Sequence, residues 1–271
     1  MTGKMEELNE AKIIFLGNGE VGKTSLMKAL SGENFDPEES TTHGINICKY
    51  NVPINEQRSI DASIWDFGGQ QIMHATHQLF LSRRCIYVLV INDRRDDLQQ
   101  EQKIEYWLQQ VQTFGGDSKV ILIRNKYDMF MQNNVSEGIL QEKFPNLVCI
   151  EAVSCKTGHN IERVKNLLNE QVRQLPMRKV CLAENWIKIK NEIKSISNEK
   201  DHLPLSTYNE ICINNGVTDK EAQKTLRQLL DDLSVIIAFE ELSDFDMGIL
   251  NPHWITDGIY TIISSNSLEK K

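Results

Sequence analysis

The sequence predicts an α/β domain on a mostly parallel six-stranded sheet, followed by a smaller winged-helix-like α+β domain. Three observations predict it. Short, nearly pure apolar runs such as CIYVLVIN (85–92) and KVILIRNK (119–126) alternate with helix-period stretches, as strands covered on both faces do. The first such run ends in a glycine-rich turn, GNGEVGKT (17–24), which leads into a helix. After Pro176 the alternation gives way to three helices, a hairpin and a further helix.

The elements follow in order. KIIFLG (12–17) is a buried strand entering a tight turn, and TSLMKALSG (24–32) is a helix stopped by Gly32. Residues 33–44 are polar and turn-rich, a loop. NICKYNVP (46–53) and RSIDASIWDFG (58–68) alternate and form an antiparallel pair. Beyond the strand at 85–92 come a helix (99–115), a strand (119–126), a helix (135–144), a strand (146–154) and a long helix (160–175). Helices are then predicted over 183–198, 205–216 and 218–234, a hairpin over 235–241 and 247–251, and a helix over 252–265. Gly17, Asp66, Asn92, Asn125 and Ser154 all fall at or just after strand ends. They therefore line one edge of the sheet, where ligands of such folds bind.

Composition narrows the function classes. Of 271 residues, 40% are hydrophobic and 25% charged, which is ordinary for a globular protein. A net charge of -8 argues against general nucleic-acid binding, which needs cationic surface to displace counterions. The six cysteines are scattered without a CxxC pair, as free buried thiols of a cytosolic protein would be. No apolar run has the length of a membrane span, and MTGKMEELNE lacks the apolar stretch of a signal peptide. A cytoplasmic location is expected, with no membrane insertion. The sequence stops directly after a helical pattern, as either a true terminus or a fragment of a longer protein would.

The motifs carry the chemistry. GNGEVGKT fits G-x-x-x-x-G-K-[ST], a phosphate-binding loop between strand and helix. Gly19 and Gly22 permit backbone angles and close approaches that a Cβ would block. The backbone N–H groups of Gly19, Glu20, Val21, Gly22, Lys23, Thr24 and Ser25 form an anion nest at a helix N-terminus. Lys23 supplies a charge to the β- and γ-phosphates and Thr24 a hydroxyl to Mg²⁺. NKYD (125–128) chooses the base. The Asp128 carboxylate accepts from the two parallel donors of guanine, whereas adenine would present a lone pair to it. Asn125 ties this loop to the phosphate loop, and the Lys126 stem covers the purine face. In SCK (154–156), Ser154 opens a turn in which the N–H groups of Cys155 and Lys156 bind the guanine carbonyl.

WDFGGQQ (65–71) and STTHG (40–44) supply the switches. Asp66 stands on the Mg²⁺ side, the Gly69 N–H binds the γ-phosphate, and Gln70 orients the attacking water. Gln71 falls where the chain turns into a helix and is given no role. Thr42 is the chosen second Mg²⁺ hydroxyl, with Thr41 and Ser40 as alternatives. Catalysis is thereby assigned to Gln70, Lys23 and Thr42, and the metal to Thr24, Thr42 and Asp66.

Together these residues resemble the small GTPases of the Ras and Rab type, with all five guanine-nucleotide motifs in order over residues 12–175. The WDFGGQ wording, the THG switch and the segment containing NPHWITDGIY are similar to the Roco family. There a Ras-like domain called Roc precedes a domain called COR. The resemblance covers nearly the whole chain. It implies an N-terminal tail over 1–11, a Roc GTPase domain over 12–176 and the N-terminal part of COR over 177–271. It further implies slow, Mg²⁺-dependent hydrolysis of GTP to GDP. It also implies a homodimer in the full-length protein, through a further COR half that lies outside this sequence.

Other readings compete. A DNA-binding winged helix would place residues 218–234 on phosphate. That helix carries Lys220, Lys224 and Arg227 but also Asp219, Glu221, Asp231 and Asp232, and its Leu226, Leu229, Leu230 and Leu233 face inward. A regulatory module that binds GTP or GDP without appreciable hydrolysis is the closer alternative. Arg83, Arg84, Arg94 and Arg95 are candidates for an activating arginine, each more simply read as a solvated charge. His74 and His77 have no third metal ligand. The apolar LFL (79–81) after the second switch motivates a contact between that switch and the COR segment.

Overall fold

Six apolar runs pair into one sheet: β2 (Glu10–Leu16), β3 (Ile45–Pro53), β4 (Ser59–Phe67), β5 (Ile86–Asn92), β6 (Lys119–Asn125) and β7 (Leu147–Ala152). The computed structural model describes residues 5–42, 44–68, 78–92, 97–129, 137–176, 181–238 and 246–268.

The strand order is β3-β4-β2-β5-β6-β7. β2, β5, β6 and β7 run parallel, and β3 pairs antiparallel with β4 from Ile45↔Phe67 to Pro53↔Ser59. This is the mostly parallel α/β sheet that the sequence predicts. Ile86 to Ile91 of β5 are all buried, which is why that run is continuously apolar. β3 lies at the sheet edge and alternates instead. β2 sits between β4 and β5, so the loop after it emerges where the chain leaves the sheet in both directions. Such a switch point is a natural ligand crevice.

Helices α1 (Lys23–Leu30), α2 (Asp97–Gln110), α3 (Glu137–Lys143) and α4 (Ile161–Gln174) alternate with these strands. α4 buries Val164, Leu168 and Val172, spaced four apart on one face. They share a core with Leu26 and Leu30 of α1 and with Ile13 and Phe15 of β2. Truncating Leu168 to Ala there would cost about 2–5 kcal/mol. The sequence reads 99–115 as one helix, but its last turn, Val111–Gly115, widens to a π-helix.

The chain divides into two compact units, Ala11–Leu175 and Pro176–Lys271 together with Met1–Glu10. In the second unit, β1 (Met5–Glu7) pairs antiparallel with β8 (Cys181–Ala183). The segment read as a tail therefore holds a strand within residues 5–11. Its burial of Leu8 among Leu182, Ile189 and Ile193 is the physical reason. Two three-residue strands are too short to show a period in sequence.

The rest of the second unit comprises α5 (Glu184–Ile196), β9 (His202–Pro204), α6 (Leu205–Asn214), α7 (Lys220–Asp232), β10 (Ile237–Ala238), β11 (Met247–Ile249) and α8 (Pro252–Leu268). The predicted hairpin gains a third strand, in the order β10-β11-β9. α7 starts at Asp219, whose carboxylate accepts from the Ala222 N–H, and it buries Leu226, Leu229 and Leu230. Of the free cysteines, Cys85, Cys155 and Cys212 are buried, Cys48 and Cys149 half-buried, and Cys181 exposed. No described helix is long and apolar enough to cross a membrane.

Candidate functional site

The site is built on the loop between β2 and α1. Glu20 (φ 62) and Gly22 (φ 92) take left-handed angles there. At Gly22 only glycine serves, because a Cβ would run into the Asn125 side-chain amide. Lys23 is buried at the first position of α1, and its Nζ donates to the carbonyls of Gly17 and Asn18, each at 2.9 Å. Burial pushes the Lys23 ammonium down to about 8, with the Asp66 charge opposing that shift.

Both switch segments meet the loop at Thr24. Its hydroxyl donates to Asp66 Oδ2 at 2.6 Å and lies 2.7 Å from the Thr42 hydroxyl. Thr42 also donates to Asp66 Oδ2 at 3.4 Å. Ser40 and Thr41 are exposed, so Thr42 is the hydroxyl of STTHG that reaches this cluster. Asp66 is fully buried. Burial raises its carboxyl above the ordinary range, while Lys23, Thr24 and Thr42 pull it back. Its second oxygen, Oδ1, is buried without a hydrogen-bond partner. Two hydroxyls and a carboxylate with a spare buried lone pair fit a small, hard cation that takes most of its remaining ligands from phosphate and water. Among the described residues, no cluster of three or more His, Cys, Asp or Glu side chains could hold a metal.

The base end lies two strands away, after β6. Asn125 Nδ2 donates to the Val21 carbonyl at 3.0 Å, and Lys126 Nζ donates to the Glu20 carbonyl at 2.8 Å. These bonds brace the loop from the β6 side. Asp128 accepts from the Ser154 hydroxyl at 2.6 Å. The Cys155 N–H, expected to face a base carbonyl, donates instead to Asn125 Oδ1 at 3.3 Å. Burial pushes the Cys155 thiol up to about 12. Lys156 is exposed, and Gly19 and Ser25 are half-buried within the loop and the first turn of α1.

Gly69, Gln70, Gln71, His74, His77, Arg94 and Arg95 fall outside the described residues, as does His43. Arg83 and Arg84 precede β5 and stand at its amino end. Seven strand residues separate them from the edge that carries the site, roughly 20 Å at the rise of a strand. Of LFL, Phe80 is buried against Trp65 and Phe67, whereas Leu79 is exposed.

Three contacts, two at the site and one toward the amino end of β2, were not legible from the motifs. Gly68 donates its N–H to the Gly44 carbonyl at 2.9 Å, extending the β3–β4 pairing into both switches. Lys28 on α1 pairs with Glu39 at 2.5 Å. It lies one turn beyond Thr24, a spacing that places both on one helix face. Lys12, buried in β2, donates to the Phe80 carbonyl at 2.9 Å and sits 4.2 Å from the Trp65 ring centroid. It thereby holds chain on either side of the second switch, and nothing in its local sequence signals this.

Known proteins resemble this chain in sequence and fold. The family described as "Ras of Complex, Roc, domain of DAPkinase" matches residues 12–128. The one described as "C-terminal of Roc, COR-A domain" matches residues 183–271. A Roc-COR-CHAT protease of Runella zeae is 29% identical over 280 residues, covering 95% of this chain and 30% of the relative. Cyclic GMP-binding protein C of Dictyostelium discoideum is 25% identical over 287 residues, covering 95% of this chain and 11% of the relative. The chain thus spans less than a third of either relative. Among solved structures, Methanosarcina barkeri Roco2 RocCORdC bound to GDP aligns with a TM-score of 0.90 and 40% identity, covering 99% of this chain and 80% of that one. With Roc and COR-A matched in tandem and the whole length superposing on a Roco protein at that identity, the chain belongs to the Roco family as a Roc–COR tandem.

Proposed function

We propose that the chain is a guanine-nucleotide-binding switch that hydrolyses GTP to GDP slowly with Mg²⁺ and couples its nucleotide state to the COR segment. The observation that carries this reading is the Thr24–Thr42–Asp66 cluster, which joins both switch segments to the phosphate loop through bonds of 2.6 and 2.7 Å.

The backbone N–H groups of residues 19–25 cradle the phosphates, and Lys23 turns its ammonium to the β- and γ-oxygens. Thr24, Thr42 and Asp66 would hold Mg²⁺. The ion, when bound, offsets the negative charge that builds on the phosphate oxygens. Asp128 accepts from guanine, Lys126 lies along the purine face, and Ser154 orients Asp128. The Lys156 N–H faces the guanine carbonyl. Gly69 binds the γ-phosphate and Gln70 orients the attacking water, so loss of the γ-phosphate releases the second switch. Exposed Leu79 supports a contact from that switch to the COR segment. Homodimerisation of the full-length protein and a cytoplasmic location belong to the same reading.

Sites of this kind turn over at roughly 10⁻⁴ s⁻¹ without an arginine and at about 10⁻² s⁻¹ with one supplied in cis. The position of Arg83 and Arg84 at the far edge of the sheet favours the low end. It also lends weight to a second reading, a binding module with negligible hydrolysis. Calorimetry with GDP and ADP tests the base assignment, and equal affinities would overturn it. Single-turnover hydrolysis by wild type and Gln70→Leu separates the two readings of rate. A measurable rate that falls in the variant is expected, and no turnover in wild type leaves the binding module.

A further inference from the structure

Among the described residues, three side-chain contacts join the two base-recognition loops, and one of them, the third, is between rings rather than between motif side chains. Asn125 Oδ1 accepts from the Cys155 N–H at 3.3 Å, and Asp128 accepts from the Ser154 hydroxyl at 2.6 Å. In the third, the Tyr127 ring stacks on His159 with centroids 5.1 Å apart and planes 12° from parallel. That is the offset-stacked geometry aromatic pairs prefer. Neither ring has a place in the nucleotide chemistry derived above.

The backbone explains why the rings meet. Lys126 has a φ of 65, a left-handed angle that a non-glycine residue holds only where its surroundings enforce it. The next N–H, that of Tyr127, donates to the Val153 carbonyl at 3.0 Å. On the other loop, the His159 carbonyl accepts from the Ser154 N–H at 3.2 Å. Asn160, also left-handed with a φ of 56, donates from Nδ2 to the Ala152 carbonyl at 2.9 Å. The backbone on each side is therefore fixed without help from the imidazole. What the stack adds is lateral support for Tyr127. That residue lies between Lys126, which covers the purine, and Asp128, which is itself exposed.

We propose that His159 is a positioning residue for guanine specificity, bracing Tyr127 through the ring stack and thereby holding Asp128 against the base edge. The inference rests on the guanine-binding reading above. It predicts a defect in residence and discrimination with folding intact, because the backbone links of both loops survive loss of the ring.

The test measures release of fluorescently labelled GDP, and the affinities for GDP, ADP and inosine diphosphate, in the whole chain. Inosine diphosphate lacks the amino group from which Asp128 accepts. His159→Ala is expected to release GDP roughly two- to tenfold faster and to narrow the preference for GDP over inosine diphosphate, with a melting temperature within about 5 °C of wild type. His159→Phe should restore both. Tyr127→Leu should reproduce the alanine effect, and the double variant should add little to either single one. Wild-type release and discrimination in His159→Ala would overturn the proposal, as would a phenylalanine variant no better than the alanine one. If wild type itself fails to prefer GDP over ADP, the base assignment falls and the proposal with it. Preference retained by wild type and by His159→Ala alike sinks the proposal alone.

Discussion

A Cβ placed on Gly68 would lie 2.6 Å from the Thr42 carbonyl oxygen. The first glycine of the GG pair thus lets one switch pass against the other, while its N–H bonds to the Gly44 carbonyl at 2.9 Å. Gly68→Ala must displace Thr42, whose hydroxyl lies 2.7 Å from that of Thr24. Misplacement of about 1 Å can cost about 100-fold in rate. A loss of that order in single-turnover GTP hydrolysis is expected, with GDP affinity nearly unchanged. An alanine variant as fast as wild type would show that the two switches separate before reaction.

The Lys28–Glu39 pair makes a second connection between α1 and the first switch. Thr24 and Lys28 are four apart on the helix, and Thr42 and Glu39 three apart on the loop. The two contacts therefore form successive rungs. The hydrogen bond and charge of Glu39 raise the Lys28 pKa. The pair is only half-buried and still screened by solvent, so Lys28→Glu should weaken binding of a non-hydrolysable GTP analogue only a few-fold. The swapped variant Lys28→Glu/Glu39→Lys should recover most of that loss in a calorimetric cycle, whereas an additive loss would rule out the rung.

Glu10 links acidity to the stability of the second unit. Desolvation raises the pKa of its carboxyl, but the Lys194 hydrogen bond and the charges of Lys190 and Lys194 outweigh this and leave it lowered. A lowered carboxyl contributes stability above its ordinary value of 4.5, and that contribution is lost as pH falls through the folded-state value. Glu10→Gln should therefore lower the stability of the second unit at pH 7, by about 1 kcal/mol or less since Lys194 is solvent-screened. At pH 3 the deficit should shrink. Urea melts of both proteins at the two pH values decide it, and a deficit that grows on acidification would contradict the assignment.

Thiol reactivity reads out the base loop. Cys181 is exposed, whereas Cys155 is buried beside Asn125 with its thiol pushed up to about 12, and the Cys149 thiol is pushed up to about 11. Thiolate is the reacting form. Iodoacetamide at pH 8, followed by peptide mass spectrometry, should modify Cys181 first and leave Cys155 nearly untouched. Rapid modification of Cys155 would mean that the 154–159 turn opens in solution.

The sheet is legible in the sequence, and so are the motifs placed along its edge. Apolar runs reveal strands because strands covered on both faces admit few polar side chains, and the GNGEVGKT and NKYD motifs show themselves because each role demands a residue type at a set spacing. The remaining contacts depend on pairings between residues far apart in the chain. Thr42 reaches Asp66 while Ser40 and Thr41 stay exposed. Gly68 is required by a neighbour 26 positions away, and Lys12 finds its partners at Trp65 and Phe80. β1 is a strand only because β8 offers it an edge. Local pattern carries no trace of such partners, since each residue type is chosen by a surface that the chain creates only after it has folded.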